Sequence, residues 1–318
     1  MIRSLLLRRG AIGLLILWLV SVVVFGAIHL LPENAAQLML GHSEELPGTL
    51  KVIESQMGLN LPVPVQYWHW LRGLVTFHWG TSLVSQTSVA AVVKARLLNS
   101  SILALFSTVI MTPIAIVIGA YTATRSGKAT DGVTSVVTLL VSAVPQFVLG
   151  ILLIFFFATN VFHFLPAASI VNPSEPIWSQ LKVTVLPVLT LVIAGLPYPI
   201  RFVRAGMIDV LQSDYVRMAR LKGLPERYVL MHHALRNAIA PMIQVVALNF
   251  IQLVGGVVLV ETVFSYPGLG LVLIQSVNAR DLPMVQTIVV LLAFFVVVGN
   301  LLTDLAVILV TPRLRARI

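Results

Sequence analysis

The chain has 318 residues, of which 58% are hydrophobic and only 10% charged, and its mean hydropathy is +0.96. A soluble domain carries about 25% charged residues, so this chain has too little charge to cover a globular surface in water, and a soluble enzyme or a disordered chain is excluded. There is no cysteine, which removes disulfide scaffolds, thiolate metal sites and thiol nucleophiles, and the meaning of the net charge of +9 depends on where the Lys and Arg residues fall.

A helix that crosses a bilayer needs about 20 apolar residues. Six stretches meet that length: Ala11–Leu30, Ser100–Tyr121, Val133–Thr159, Val183–Ile200, Asn237–Val260 and Val285–Val310. The first follows a basic start, Arg3, Arg8 and Arg9. Its apolar run exceeds the roughly 7–15 residues of a secretory signal core, and no small-x-small cleavage site follows, so it reads as a retained anchor. The long loop after it, 31–99, holds Pro32, Pro47, Pro62 and Pro64, then Tyr67, Trp68, Trp70, Phe77 and Trp79. Such aromatics suit either a membrane-interface subdomain or a docking surface for an external partner.

In the third stretch, Pro145 and Gly150 predict a kink or tilt, and Pro145 with Gln146 are candidates for a gating kink. The fourth is interrupted by Pro187, Pro197 and Pro199, which membrane helices tolerate where neighbours satisfy the freed backbone groups.

The next loop, 201–236, is rich in Arg. Ser213 or Asp214 can cap a short helix. Gly223 can end it in the left-handed conformation that glycine adopts cheaply. Pro225 then suits a second helix start, with Glu226 at the positive dipole end. This helix–turn–helix is too short for a core of its own. It either packs on another subunit or lies as an amphipathic loop on the headgroups.

The fifth stretch carries Gln244, Asn249 and Gln252, which suit either a polar path or bonds between helices. Glu261, just beyond it, suits an external gate or a contact for an external partner. In the sixth, Asn300 and Asp304 are four apart and share a helix face.

Of the 21 Lys and Arg residues, 15 lie on the side that holds both termini and the 201–236 loop, and 6 on the other. The positive-inside rule makes the richer side cytoplasmic. The basic excess is therefore an orientation signal, and no basic patch interleaved with aromatics points to nucleic acid. No Gly-rich phosphate loop ending in Lys-Ser/Thr occurs, and neighbouring His232 and His233 diverge on a helix. The expectation is no catalytic residue, no metal site and no cofactor held by this chain.

The run Asp214-Tyr215-Val216-Arg217-x-Ala219-Arg220-x-Lys222-Gly223-Leu224, followed by His233-Ala234-Leu235-Arg236-Asn237, resembles the EAA loop of ABC-importer permeases in its dipeptide/oligopeptide form. Ala219 and Gly223 keep the motif's Ala-to-Gly spacing, while Arg217 and Met218 replace its first two residues. Further segments are similar to that family in order along the chain: Met57-Gly58-Leu59-Asn60, Trp79-Gly80-x-Ser82, Val144-Pro145-Gln146-Phe147, Glu261 to Gly270, Arg280-Asp281-x-Pro283 and Asn300 to Asp304. Near the end, Thr311-Pro312-Arg313 replaces Asp-Pro-Arg and Val307 replaces a usual Tyr.

The resemblance implies an all-α, multi-pass protein of the bacterial plasma (inner) membrane with the type I ABC-importer transmembrane fold. Residues 1–98 would hold the first helix and an extracytoplasmic subdomain, 99–312 the permease core, and 313–318 a basic tail. It implies that the chain forms half of a path for di- or oligopeptides, or for nickel, glutathione or another small solute. The partners implied are a homologous permease, two ATPase subunits that carry ATP and Mg, an extracytoplasmic binding protein or lipoprotein, and membrane lipid. A self-sufficient channel or secondary transporter is the other class, and the absence of an internal repeat argues against it.

Overall fold

The computed structural model describes residues 2–29, 60–171, 180–235 and 257–310. Among these the structure is helical, and the nearest thing to a strand is an isolated bridge between Thr81 and Ser88. The helices are α1 (Ile2–His29), α2 (Val63–Val75), α3 (Val89–Thr124), α4 (Ala129–Ala143), α5 (Gln146–Ile154), α6 (Leu181–Gly195), α7 (Pro197–Leu211), α8 (Asp214–Leu221), α9 (Glu226–Tyr228), α10 (Leu269–Asn278) and α11 (Leu282–Val310). Wider π-type turns extend α5 through Phe155–Thr159 and α9 through Val229–Leu235. Residues 257–263 are also helical.

Among the described residues, three segments are each long and apolar enough to cross a bilayer: Leu7–Ala27, Val89–Thr124 and Leu282–Leu305. They answer to the first, second and sixth expected stretches. The second runs well past 100–121, because nothing between Val89 and Thr124 breaks a helix except Pro113. Around that proline the side chains of Thr108 and Thr112 donate to the carbonyls of Ala104 and Thr108, each at 2.8 and 2.7 Å respectively.

The third expected stretch, where a kink or tilt is expected, is broken into two helices. It bends by 96° between α4 and α5. Pro145 has no N–H to donate and disfavours helical backbone in the residue before it, and Val144 accordingly sits at φ −87°, ψ 124°. The 15 residues of α4 span only about 22 Å at roughly 1.5 Å each, short of a ~30 Å hydrocarbon core. Gly150 does not cause the break. It lies inside α5, where an added Cβ would stand 3.2 Å from Phe264 Cε2, so it permits a close approach. The fourth stretch bends by 43° between α6 and α7 at Leu196, just before Pro197. The helix then continues to Leu211, past the expected end at Ile200. The fifth expected stretch, 237–260, lies outside the described residues except for its last four.

The chain forms two compact units, each discontinuous in sequence. The first comprises 100–267, 299–318 and the first two residues. Its core packs Leu103, Met111, Leu186, Leu191, Val260, Phe264 and Tyr266. The second comprises 3–99 and 268–298, with Val89, Val93, Leu269, Met284 and Ile288 at its centre. Within it α1 and α11 approach so closely that a Cβ on Gly13 would stand 2.6 Å from Val297 Cγ1, the small-residue packing used where helices meet in lipid.

Candidate functional site

In the first unit, α7 delivers the chain to the short pair α8 and α9. It is held on two sides. Gly119 of α3 leaves room for it: an added Cβ would stand 2.7 Å from Val203 Cβ and 2.8 Å from the Ile200 carbonyl. From the other side, Asp131 in the first turn of α4 accepts from Arg204 Nε and from Arg204 Nη2, the latter at 2.7 Å. The Gly127 N–H also donates to Asp131, at 3.0 Å.

The helix pair is built as the turn residues predict. Ser213 stands at the N-cap of α8 with extended backbone (φ −68°, ψ 149°). Its hydroxyl, however, donates back to the Val210 carbonyl and does not cap α8. Gly223 ends the helix at φ +75°. Leu224 follows, and Pro225 precedes the first turn of α9. Val216 and Ala219 of α8 meet Val229 of the second helix, with Val210, Leu211 and Leu224 packed around them. Ala234 and Leu235 pack against Ala123, Val203 and Met207. One side of the pair is thus buried on α7 and α3.

The other side is exposed. It carries Asp214, Tyr215, Arg217, Arg220 and Lys222, interleaved with exposed Met218 and Leu221. Arg220 makes a two-pronged bond to Glu226, Nη2–Oε1 2.7 Å and Nε–Oε2 3.1 Å, which raises the pKa of the guanidinium still further. Exposed pairs of this kind contribute about 0–1 kcal/mol, so its effect is to orient Arg220 across the Gly223 turn. Tyr228 stacks on His232 with centroids 4.3 Å apart, and the His233 ring stands edge-on to it at 5.8 Å. Of the residues singled out from the sequence, Ala219 is therefore inward, and Leu224, His233 and Leu235 are half-buried. Arg236 and Asn237 lie outside the described residues.

The candidates for a transport path divide differently. Pro145 and Gln146 sit at the 96° bend, and the buried Gln146 Oε1 finds no hydrogen-bond partner among the described residues. Glu261 is fully buried and accepts from Ser100 Oγ at 2.5 Å, so here it presents no carboxylate to an external surface. Beyond the expected spans, burial pushes the Tyr266 phenol up, helped by the nearby Glu261 charge. Gln244, Asn249 and Gln252 lie outside the described residues. Among the described residues no cluster of three or more His, Asp or Glu could hold a metal ion.

The sequence reading did not single out Asp131, Arg204 and Ser100. Asp131 is the sole acid between Glu54 and Glu175, and that isolation beside an apolar stretch was the available signal.

Residues 115–316 match the family described as binding-protein-dependent transport system inner membrane component. Residues 1–104 match the N-terminal region of such membrane components. The chain is 34% identical to the oligopeptide transport system permease protein AppB of Bacillus subtilis, over 97% of this chain and 98% of that one. It is 31% identical to a probable peptide ABC transporter permease, y4tP, of Sinorhizobium fredii, over 98% of each. It is also 32% identical to the nickel import system permease protein NikB of Staphylococcus aureus, over 100% of this chain and 93% of that one.

Proposed function

Since the chain belongs to the family of binding-protein-dependent transport system inner membrane components, and so is a permease subunit of an ABC importer, we propose that it forms half of a translocation path for di- or oligopeptides and is driven through the 214–235 helix pair. One observation carries the coupling part. The pair is buried on one side against α7 and α3, and on the other it exposes Tyr215, Met218 and Leu221 beside Arg217 and Lys222. A short rigid element of this kind, held by its own protein and presenting apolar and basic side chains together on its free side, moves as a unit when a partner moves it. The partner proposed is an ATPase subunit, with ATP and Mg held there; a second permease and an external binding protein complete the assembly. The six-span topology with both termini cytoplasmic belongs to the same proposal, with the 237–260 stretch as the fifth span.

The absence of cysteine from the whole sequence offers a direct test. Met218→Cys is a unique thiol on the exposed side of α8. In membranes that hold the whole importer it is expected to cross-link to an ATPase subunit, while Ala205→Cys, exposed on α7, is not. Equal cross-linking at both positions, or none at Met218→Cys, overturns the coupling assignment.

Peptide cargo is favoured by the two peptide-permease relatives, and nickel is the second reading because of the likeness to NikB along the whole chain. Titrating the co-purifying binding protein with peptides and with Ni2+ separates the two.

A further inference from the structure

We propose that α2 is an interfacial helix, seated in the headgroup–acyl boundary of the phospholipid bilayer where α1 leaves the membrane. Both helices belong to the second unit, so their contact is internal to it.

The depth of α2 follows from one bond. Ser21 Oγ donates to the Trp18 carbonyl at 2.7 Å. That uses its only proton, so at 2.8 Å it accepts from the Tyr67 hydroxyl of α2. Phe25 of α1 closes the contact, with ring centroids 5.3 Å from Tyr67 and 5.7 Å from Trp70. Ser21 stands six residues before Ala27, the last residue of the apolar span Leu7–Ala27. At roughly 1.5 Å per residue it lies about 9 Å inside the end of that span. Interfacial helices bury their apolar side about 5–10 Å into this same zone. Tyr67 therefore fixes α2 beside lipid and not in bulk water.

The residues of α2 are sorted to match. Tyr67, Trp70 and Leu74, at i, i+3 and i+7, are half-buried and form one side, which faces α1 through Tyr67 and Trp70. Pro64, Trp68 and Val75, at i, i+4 and i+11, form a second side. It is apolar and open: Trp68 is 63% and Val75 69% exposed, and Phe77, just past the helix, is 75% exposed. His69, Arg72 and Thr76, at i, i+3 and i+7, form a third side, polar except in the first turn, where Val65 shares it at 38% exposure. Its polar residues line an open recess of about 310 Å3 together with Trp68 and Gly73.

In water the second side is a liability. α1 likewise exposes Trp18, Leu19 and Val23 along its span, a surface that meets lipid wherever α1 crosses. Acyl chains cover the Trp68 side, and headgroup phosphates meet Arg72. Trp and Tyr favour this depth for the same reason.

Single cysteines in the cysteine-free chain give the test. Trp68→Cys, Val75→Cys and His69→Cys are made in the full-length chain, purified with the subunits that accompany it. The complex is placed in nanodiscs of phosphatidylethanolamine and phosphatidylglycerol. A membrane-impermeant thiol reagent is expected to label His69→Cys at least tenfold faster than the other two. A bimane at 68 or 75, and not at 69, is expected to be quenched by lipid that carries a nitroxide high on the acyl chain. Val75→Cys stands independently if Trp68→Cys disturbs the helix. Equal labelling at all three positions with no lipid quenching overturns the proposal. So does protection of 68 and 75 that appears only after the external binding protein is added, which would make this side a protein-docking face.

Discussion

Arg204 of α7 and Asp131 of α4 form a two-pronged ion pair, with Nε directed at Oδ1 and Nη2 at Oδ2 2.7 Å away. The Asp131 side chain is only 8% exposed and that of Arg204 29%, so water compensates poorly for the loss of either partner. Asp131→Ala and Arg204→Met are each expected to lower the melting midpoint of the detergent-solubilised protein, since each leaves the other partner without its counter-charge. The double variant is expected to cost little more than either single one, because both remove the same interaction. Additive losses would show that the two residues act separately.

How far the sequence alone reached depends on the distance over which each feature is decided. Gly223 was legible because a left-handed residue after a short helix is a local requirement. The break at Pro145 was legible for the same reason, but its 96° angle was not, since packing sets the direction a freed chain takes. Gly150 was misread as a kink, because only the folded unit shows Phe264 against it. Asp131–Arg204, Ser100–Glu261 and Ser82–Asp281 join residues 73, 161 and 199 positions apart. No spacing rule connects such pairs, and Arg204 had already been absorbed into the orientation count as one more cytoplasmic charge.

Gly119 and Gly206 should respond in opposite ways to the same added methyl. A Cβ at Gly119 meets Val203 and the Ile200 carbonyl inside 3 Å, whereas none of the described residues lies within 4 Å of one at Gly206. A backbone carbonyl cannot rotate away, so Gly119→Ala must push α3 from α7, and overpacking of this kind costs about 1–3 kcal/mol. Gly206 is inside α7, where alanine is the better helix former by about 0.8–1 kcal/mol. Melting midpoints of the two purified variants should therefore move apart, down for Gly119→Ala and up for Gly206→Ala. Movement in the same direction would contradict the close approach of α3 and α7.

Gly223→Pro tests transmission. Proline holds φ near −65°, and the observed φ is +75°, so the turn between α8 and α9 cannot keep its shape. The buried contacts of α7 with α3 and α4 do not involve this turn, and membrane insertion is expected at wild-type levels. Transport should fall by an order of magnitude or more, while ATP hydrolysis by the assembled complex persists and loses its dependence on loaded binding protein. Gly223→Ala, which can reach positive φ at a cost of about 1–2 kcal/mol, should retain part of the coupling. Wild-type transport by the proline variant would remove the 214–235 pair from the coupling role.

Asp281 anchors a turn in the second unit. Ser82 Oγ donates to one of its carboxylate oxygens, and the Leu83 N–H donates to the other at 3.2 Å. Ser82 Oγ in turn accepts from the Ser85 N–H at 3.0 Å, so the 80–88 turn is organised around one buried carboxylate. Gln86 and Arg280 both hold left-handed backbone, at φ 55° and 54°, which disfavours each by about 1–2 kcal/mol and must be offset by the contacts around them. Asp281→Ala leaves the Leu83 N–H and the Ser82 hydroxyl without an acceptor, at about 1–3 kcal/mol for each group that stays buried. The cheaper response is for the turn to open to water. Limited proteolysis of the purified complex is expected to cut the variant between residues 80 and 88 several-fold faster than wild type. Asp281→Asn, which can still accept from Leu83 N–H, should fall between them. Unchanged cleavage in both variants would show that the turn holds its form without the carboxylate.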